Sequence, residues 1–344
     1  MPLKLLSLVL AVLFWIVALV QPASSQESFY KGKTIKIVVG FPPGGGFDTF
    51  ARILARQLPR YLPGNPNVIV QNIPGGGSMA AANRVYAMRP GDGLTMVAFI
   101  YGVAFQYFID DPNVRFDARK FIYLGEPTVG SVPTTLFVRK DLGIRNLDDL
   151  KKRKKPVFLA ASARTNLAGI GAYYLKSVGL PVEPVLGYGG SAPSFAAIER
   201  KEADGRISSQ ESFQTRYKRF LDEGILHPII AFGSDPRVKH IPGVATEKDL
   251  NLDKKDLEFT EFLIKTWRHL RIFAMPPGVP PERVALIRNG FNEMLKDPKV
   301  ISEGNRQGVR ISPSSWQEIE KNIKELSEAP PWIIKRYKDI AGLK

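Results

Sequence analysis

Twice near the start of the chain a β-branched run ends in three glycines and an amphipathic helix follows, and few architectures accept that order. Thr34-Ile35-Lys36-Ile37-Val38-Val39 puts Ile35, Ile37 and Val39 on one face and stops at Gly40. Pro42-Pro43-Gly44-Gly45-Gly46 then turns the chain. Phe50, Leu54 and Leu58 recur at four-residue spacing beside Ile53, which predicts a helix with Asp48 or Thr49 capping its first turn. The order repeats in Asn67-Val68-Ile69-Val70, Pro74-Gly75-Gly76-Gly77 and a helical stretch over 78–86, before Gly91-Asp92-Gly93 leads into another strand. Strands alternating with helices predict parallel sheets with helices on their faces. Further strands are expected at 135–138, 157–160, 225–232 and 272–275, and helices at 146–150, 166–178, 194–201, 281–295 and 314–337.

At 344 residues the chain has room for two domains with full cores. Its amino end carries Lys4, an apolar stretch over 5–20 and the small residues Ala23, Ser24 and Ser25, the pattern of a secretory signal cut near Ser25. With no cysteine, disulfides, thiolate metal sites and lipidation at a cysteine are excluded together. The full chain has a net charge of +15, and the expectation is a periplasmic, unlipidated protein that keeps +14 once Lys4 is lost, a field that favours anionic partners.

Loops between a strand and a helix start suit an anion, because the first amides of a helix lack partners and its dipole is positive there. Phe41-Pro42-Pro43-Gly44-Gly45-Gly46-Phe47-Asp48 is such a loop, and Gly187-Tyr188-Gly189-Gly190-Ser191-Ala192-Pro193 is another. Neither is a nucleotide P-loop, which needs Gly-Lys-Ser/Thr. Gly75, Gly77 and Ala80 fit a loose dinucleotide fingerprint, so an exported NAD-type oxidoreductase is one alternative, although Asp92 lies in a turn instead of at a strand end. A basic polyanion-binding module is the other, with Lys151-Lys152-Arg153-Lys154-Lys155 reading as a solvated corner. Ser191 lacks the final glycine of a nucleophile elbow, and His227, His240 and His269 form no metal-ligand spacing.

Pro42-Pro43-Gly44-Gly45-Gly46-Phe47-Asp48 with Ala51-Arg52 resembles the opening motif of the substrate-binding proteins of tripartite tricarboxylate transporters, the Bug-type or TctC-like receptors. Asn72 with Pro74-Gly75-Gly76-Gly77, Asp92-Gly93-Leu94-Thr95, Phe116-Asp117, Tyr188 to Pro193 and Glu202-Ala203-Asp204 follow in family order. The resemblance implies an α/β, type II periplasmic-binding-protein fold: two lobes with mainly parallel sheets around a ligand cleft. Lobe one would take residues 28–127 and 237–344, and lobe two residues 128–236. It further implies a receptor and not an enzyme, with no cofactor, no metal and no nucleic acid. The monomer would capture a small organic carboxylate and hand it to integral-membrane permease subunits. Ligand contacts carried over are Gly44, Gly45, Gly46, Phe47, Asp48, Gly76 and Gly77 on lobe one, and Ser162, Ala163, Thr165, Asn166, Tyr188, Gly190 and Ser191 on lobe two. Asp204 would support the cleft. Main-chain amides are expected to grip the anion without arginine. Ile73 stands where the family usually has Arg, Leu94 where it has Tyr, and Ala163-Arg164 interrupt a small-residue loop, which leaves the ligand open.

Overall fold

The computed structural model describes residues 29–343 other than 129–132, 215, 236, 237 and 239, so the export signal and the lobe boundary at 236–237 lie outside the described residues. Twelve strands form two six-stranded sheets among the described residues. They are β1 (Thr34–Val39), β2 (Asn67–Asn72), β3 (Thr95–Ile100), β4 (Ile122–Glu126), β5 (Thr134–Arg139), β6 (Val157–Ala160), β7 (Val182–Val185), β8 (Gly205–Ser209), β9 (Leu226–Phe232), β10 (Ala245–Thr246), β11 (Arg271–Met275) and β12 (Ser314–Ser315). The first sheet runs β12-β4-β11-β3-β1-β2 and the second β10-β9-β5-β8-β6-β7.

In β1 the residues Ile35, Ile37, Val38 and Val39 are all buried, as a parallel strand covered on both faces requires. The helix Gly46–Gln57 packs on β2 and the helix Met79–Tyr86 on β3. The parallel expectation needs one correction, made twice over. β11 lies antiparallel between β3 and β4, and β5 lies antiparallel between β8 and β9. Each is the first strand in its sheet after the chain crosses from the other, so it enters reversed between strands that agree with one another. Edge strand β12 is also antiparallel to β4. No residue pattern encodes strand direction, which is why periodicity missed this.

The second sheet also extends further than the sequence division allows. Ala245–Thr246 pairs parallel with β9, held by a capping box between Thr246 and Asp249, and Lys151 Nζ donates to the Asp249 carbonyl at 3.0 Å. Only then does the chain return through the helix Lys254–Trp267, which the sequence reading did not find. Phe259 of this helix packs on Tyr174 of the helix Leu167–Ser177 at 5.7 Å between ring centres, and Phe262 packs edge-on to Phe105 at 5.3 Å. One helix therefore serves both sheets. The expected long helix over 314–337 divides into Trp316–Ser327 and Pro331–Ala341, because Pro331 has no N–H to continue a helix and suits a helix start instead. Tyr337 packs edge-on to Phe105 at 4.9 Å and its hydroxyl donates to the Thr165 carbonyl at 3.3 Å, a second tie across the sheets. Lys151 to Lys155 is a solvated corner, stitched by Arg153 Nη1 to the Leu142 carbonyl at 3.0 Å. Among the described residues no helix is long and apolar enough to cross a membrane.

Candidate functional site

A cavity of about 130 Å³ lies between the sheets, lined by Phe41 to Pro43 and Gly45 to Phe47 from one side and by Ser162, Asn166, Gly189 to Pro193, Arg206 and Ser208 from the other. These residues follow the carboxyl ends of β1, β6 and β7 or lie within β8. That is where loops open in a wound α/β sheet.

The first loop is built around a buried aspartate. Asp48 is 3% exposed, and its carboxylate accepts from the Gly44 N–H at 2.9 Å, from Asn72 Nδ2 at 2.9 Å and from Arg52 Nε at 2.8 Å. Burial alone would raise its pKa. The hydrogen bonds from Arg52, Gly44 and Asn72 outweigh that and hold the carboxyl below the usual aspartate range. Asp48 and Gly44 are thus spent on fixing the loop, and neither lines the cavity. Gly45, not Asp48 or Thr49, is the N-cap of the helix, and it makes no side-chain cap bond. The helix begins earlier than expected, leaving Asp48 in its first turn, where its carboxylate reaches back past the cap to the Gly44 N–H. Gly45, Gly46 and Phe47 at this helix start line the cavity, and the start carries no side-chain cap. Phe47 and Phe41 form a wall, their ring centres 4.5 Å apart.

On the second sheet Gly190 adopts φ +152° and ψ −164°, a conformation open essentially to glycine alone, and it starts the helix Ser191–Glu199, again with no side-chain cap. That helix begins three residues before the expected start at Ser194. Asn166 caps Leu167–Ser177 by accepting from the Gly169 N–H at 2.8 Å, and its amide donates to Ser162. Of the residues singled out from sequence, the cavity therefore gathers Gly45, Gly46, Phe47, Ser162, Asn166, Gly190 and Ser191. Gly76, Gly77, Ala163, Thr165, Tyr188 and Asp204 lie outside its lining. Gly77 stands opposite Asn166, the space for its absent Cβ lying 3.8 Å from the Asn166 Cβ. Asp204 sits at the start of β8, away from the cavity, where it accepts from the Phe158 N–H at 3.0 Å and pairs with Arg139 at 3.3 Å.

Beside these main-chain loops, three arginines that the sequence reading did not name line the cavity. Arg271 is buried behind the first helix start, with its guanidinium carbon 5.7 Å from the Phe47 ring centre and 5.3 Å from that of Phe50. Its Nη2 reaches Ser212 Oγ at 3.4 Å, and Nη1 lies 3.8 Å from Glu211 Oε2. Arg206 is buried behind the second helix start, over Phe195 at 5.1 Å. Removal from water pushes its pKa down to about 10, which leaves it charged at neutral pH. Arg216 spans the cleft: Nη1 donates to Thr49 Oγ1 at 3.0 Å and Nη2 donates to the Gly44 carbonyl. The signal that could have found Arg206 and Arg271 is a lone basic residue at or inside an apolar strand run, Gly205-Arg206-Ile207 and Leu270-Arg271-Ile272-Phe273.

Beneath the cavity Glu126, at the end of β4 and fully buried, accepts from the N–H groups of Leu270 at 2.7 Å and Arg271 at 2.8 Å and pairs with His269 Nδ1 at 3.0 Å. It ties the strand that leaves the first sheet to the strand that re-enters it. Among the described residues no group of His, Asp and Glu is arranged to hold a metal ion.

No protein-family model matches the chain. In sequence it is 26% identical over 288 residues to protein BugT of Bordetella pertussis, covering 81% of this chain and 82% of BugT. In fold it is similar to the periplasmic binding protein BugD, with a TM-score of 0.69 at 19% identity over 92% of this chain and 99% of that one. It is also similar to MatC from Rhodopseudomonas palustris, whose structure holds malate, with a TM-score of 0.66 at 20% identity over 90% and 99% of the two chains. BugD is a periplasmic binding protein and MatC holds malate, which speaks against the oxidoreductase alternative. In sequence the chain is similar to BugT, and in fold to the periplasmic binding protein BugD and a TctC solute-binding protein.

Proposed function

We propose that the protein captures a small organic carboxylate in the cavity between its sheets and delivers it to the permease subunits of a tripartite tricarboxylate-type transporter. The observation that carries this reading is the convergence of two helix starts without side-chain caps, Gly46–Gln57 and Ser191–Glu199, from different sheets onto one small cavity. An anion bound there would receive amides from both sides and so favour closure. The malate held by MatC is consistent with that ligand class. The two lobes would be residues 29–128 with the segment after 253, and 133–246, and the protein would reach the periplasm by losing a signal near Ser25 without lipidation. Amino-terminal sequencing of the periplasmic protein checks the last point: a chain that starts near Met1 overturns it.

The decisive experiment is a thermal-shift screen of the purified protein against mono-, di- and tricarboxylates. At least one acid is expected to raise the melting temperature in a concentration-dependent way, because a ligand that binds only the folded state stabilises it. A panel with no active acid, with polyanions shifting the melt instead, would favour a polyanion-binding module.

A further inference from the structure

Two side chains in the second-sheet half of the cavity, Arg206 and Tyr217, were not named in the sequence reading, and both stand beside the helix start at Gly190 that was. Arg206 is 8% exposed, and its two hydrogen bonds, Nε to the Ile207 carbonyl and Nη1 to the Ser191 carbonyl, are long at 3.4 Å. No carboxylate pairs with it among the described residues. The Tyr217 hydroxyl is buried with no hydrogen-bond partner, and its ring lies 3.9 Å from that of Phe195, the ring over which Arg206 sits. Both side chains line the cavity, as do Gly190 and Ser191 at the uncapped helix start. A buried guanidinium normally has a carboxylate beside it, since an unpaired buried charge is costly. Arg271, buried on the first-sheet side, differs in having the Glu211 carboxylate 3.8 Å away, although its Nε and Nη1 make no hydrogen bond.

We propose that Arg206, the Tyr217 hydroxyl and the first amides of Ser191–Glu199 form an oxyanion subsite, in which the ligand itself supplies the missing counter-charge. The proposal rests on the receptor reading above and adds to it the residues that set specificity. A guanidinium, a phenol and main-chain amides are all donors, so the subsite accepts a carboxylate and rejects a neutral amide of the same shape. The amide brings an N–H₂ against donors and leaves the guanidinium unpaired.

The test uses malate, adipate, citrate and benzoate, each paired with its primary amide, measured by thermal shift and then by calorimetry. The protein is expected to bind its acid about 100-fold more tightly than the matching amide, the size of one charge-assisted hydrogen-bonding cluster. In Arg206→Met that ratio should fall to within about 10-fold, whereas Arg206→Lys, which keeps the charge, should retain most of it. Tyr217→Phe keeps the ring packing on Phe195 and should cost the acid about 10-fold while leaving the amide unchanged, which covers the case of a Met variant that does not fold. A merely structural role would lower both affinities together. If Arg206→Met or Tyr217→Phe leaves the acid-to-amide ratio as in the parent, the subsite is wrong and the receptor reading stands. If no acid in the panel binds the parent, the receptor reading falls and the subsite with it.

Discussion

Glycine does different work at neighbouring positions of these loops. Gly45 has φ −81°, and a Cβ there would meet only the Pro42 carbonyl at 3.8 Å, so its backbone is open to any residue. Gly45→Val should therefore fold with stability within about 0.5 kcal/mol of the parent yet bind ligand more weakly, because a branched side chain would occupy the cavity wall. Calorimetry beside a urea melt separates the two effects. Gly190 is the reverse case: Gly190→Ala should destabilise by about 1–3 kcal/mol, since alanine does not fit its φ and ψ. Asp48 predicts a pH effect of definite sign. Its folded pKa lies below the ordinary 3.8, so its contribution to stability is present above that value and is lost as pH falls through the folded pKa. The stability gap between the parent and Asp48→Asn should be widest near neutral pH and shrink in strong acid, and equal urea midpoints at neutral pH would rule the role out.

Strand ends carry the site, and the elements that deliver them are fixed by a few buried contacts. Glu126 holds three donors at the junction of β4 and β11. Glu126→Ala leaves two buried N–H groups and an imidazole without it and should cost about 3 kcal/mol or more, seen as a lowered melting temperature; an unchanged melt would show that β11 is held in register by its neighbours alone. The strand, glycine loop and helix order was legible in sequence because periods of two and of 3.6 leave marks in side chains, and β1, Gly46–Gln57 and Leu167–Ser177 were found that way. Strands buried on both faces, such as β4 and β8, leave weaker marks and were not found; the helix Lys254–Trp267, amphipathic with an exposed charged face, was also not found. The same limit applies to the site. Gly45, Gly190 and Asn166 announce themselves by residue type, whereas Arg206 and Tyr217 become neighbours only when a strand and a following helix turn back on one another.

Across the whole molecule, the ties are uneven. Lys254–Trp267 and Pro331–Ala341 connect the sheets through aromatic packing, while across the cavity mouth Arg216 makes two hydrogen bonds to Gly44 and Thr49. Arg216→Ala should release ligand faster, by stopped-flow, and increase the ligand-free radius of gyration in solution scattering; identical release rates would show that the clasp contributes nothing to closure. The reversed strands have a further consequence, and it concerns time. β3 and β4 never pair with each other, because β11 stands between them. The first sheet therefore remains divided until residues 271–275 have been made, whereas every strand of the second sheet lies within 134–246. A chain emerging amino end first is expected to complete its second sheet before its first. Pulsed hydrogen exchange should protect β8 and β9 ahead of β3 and β4, and the glycine loop at 44–46, although among the earliest segments to emerge, should be among the last to take its final shape.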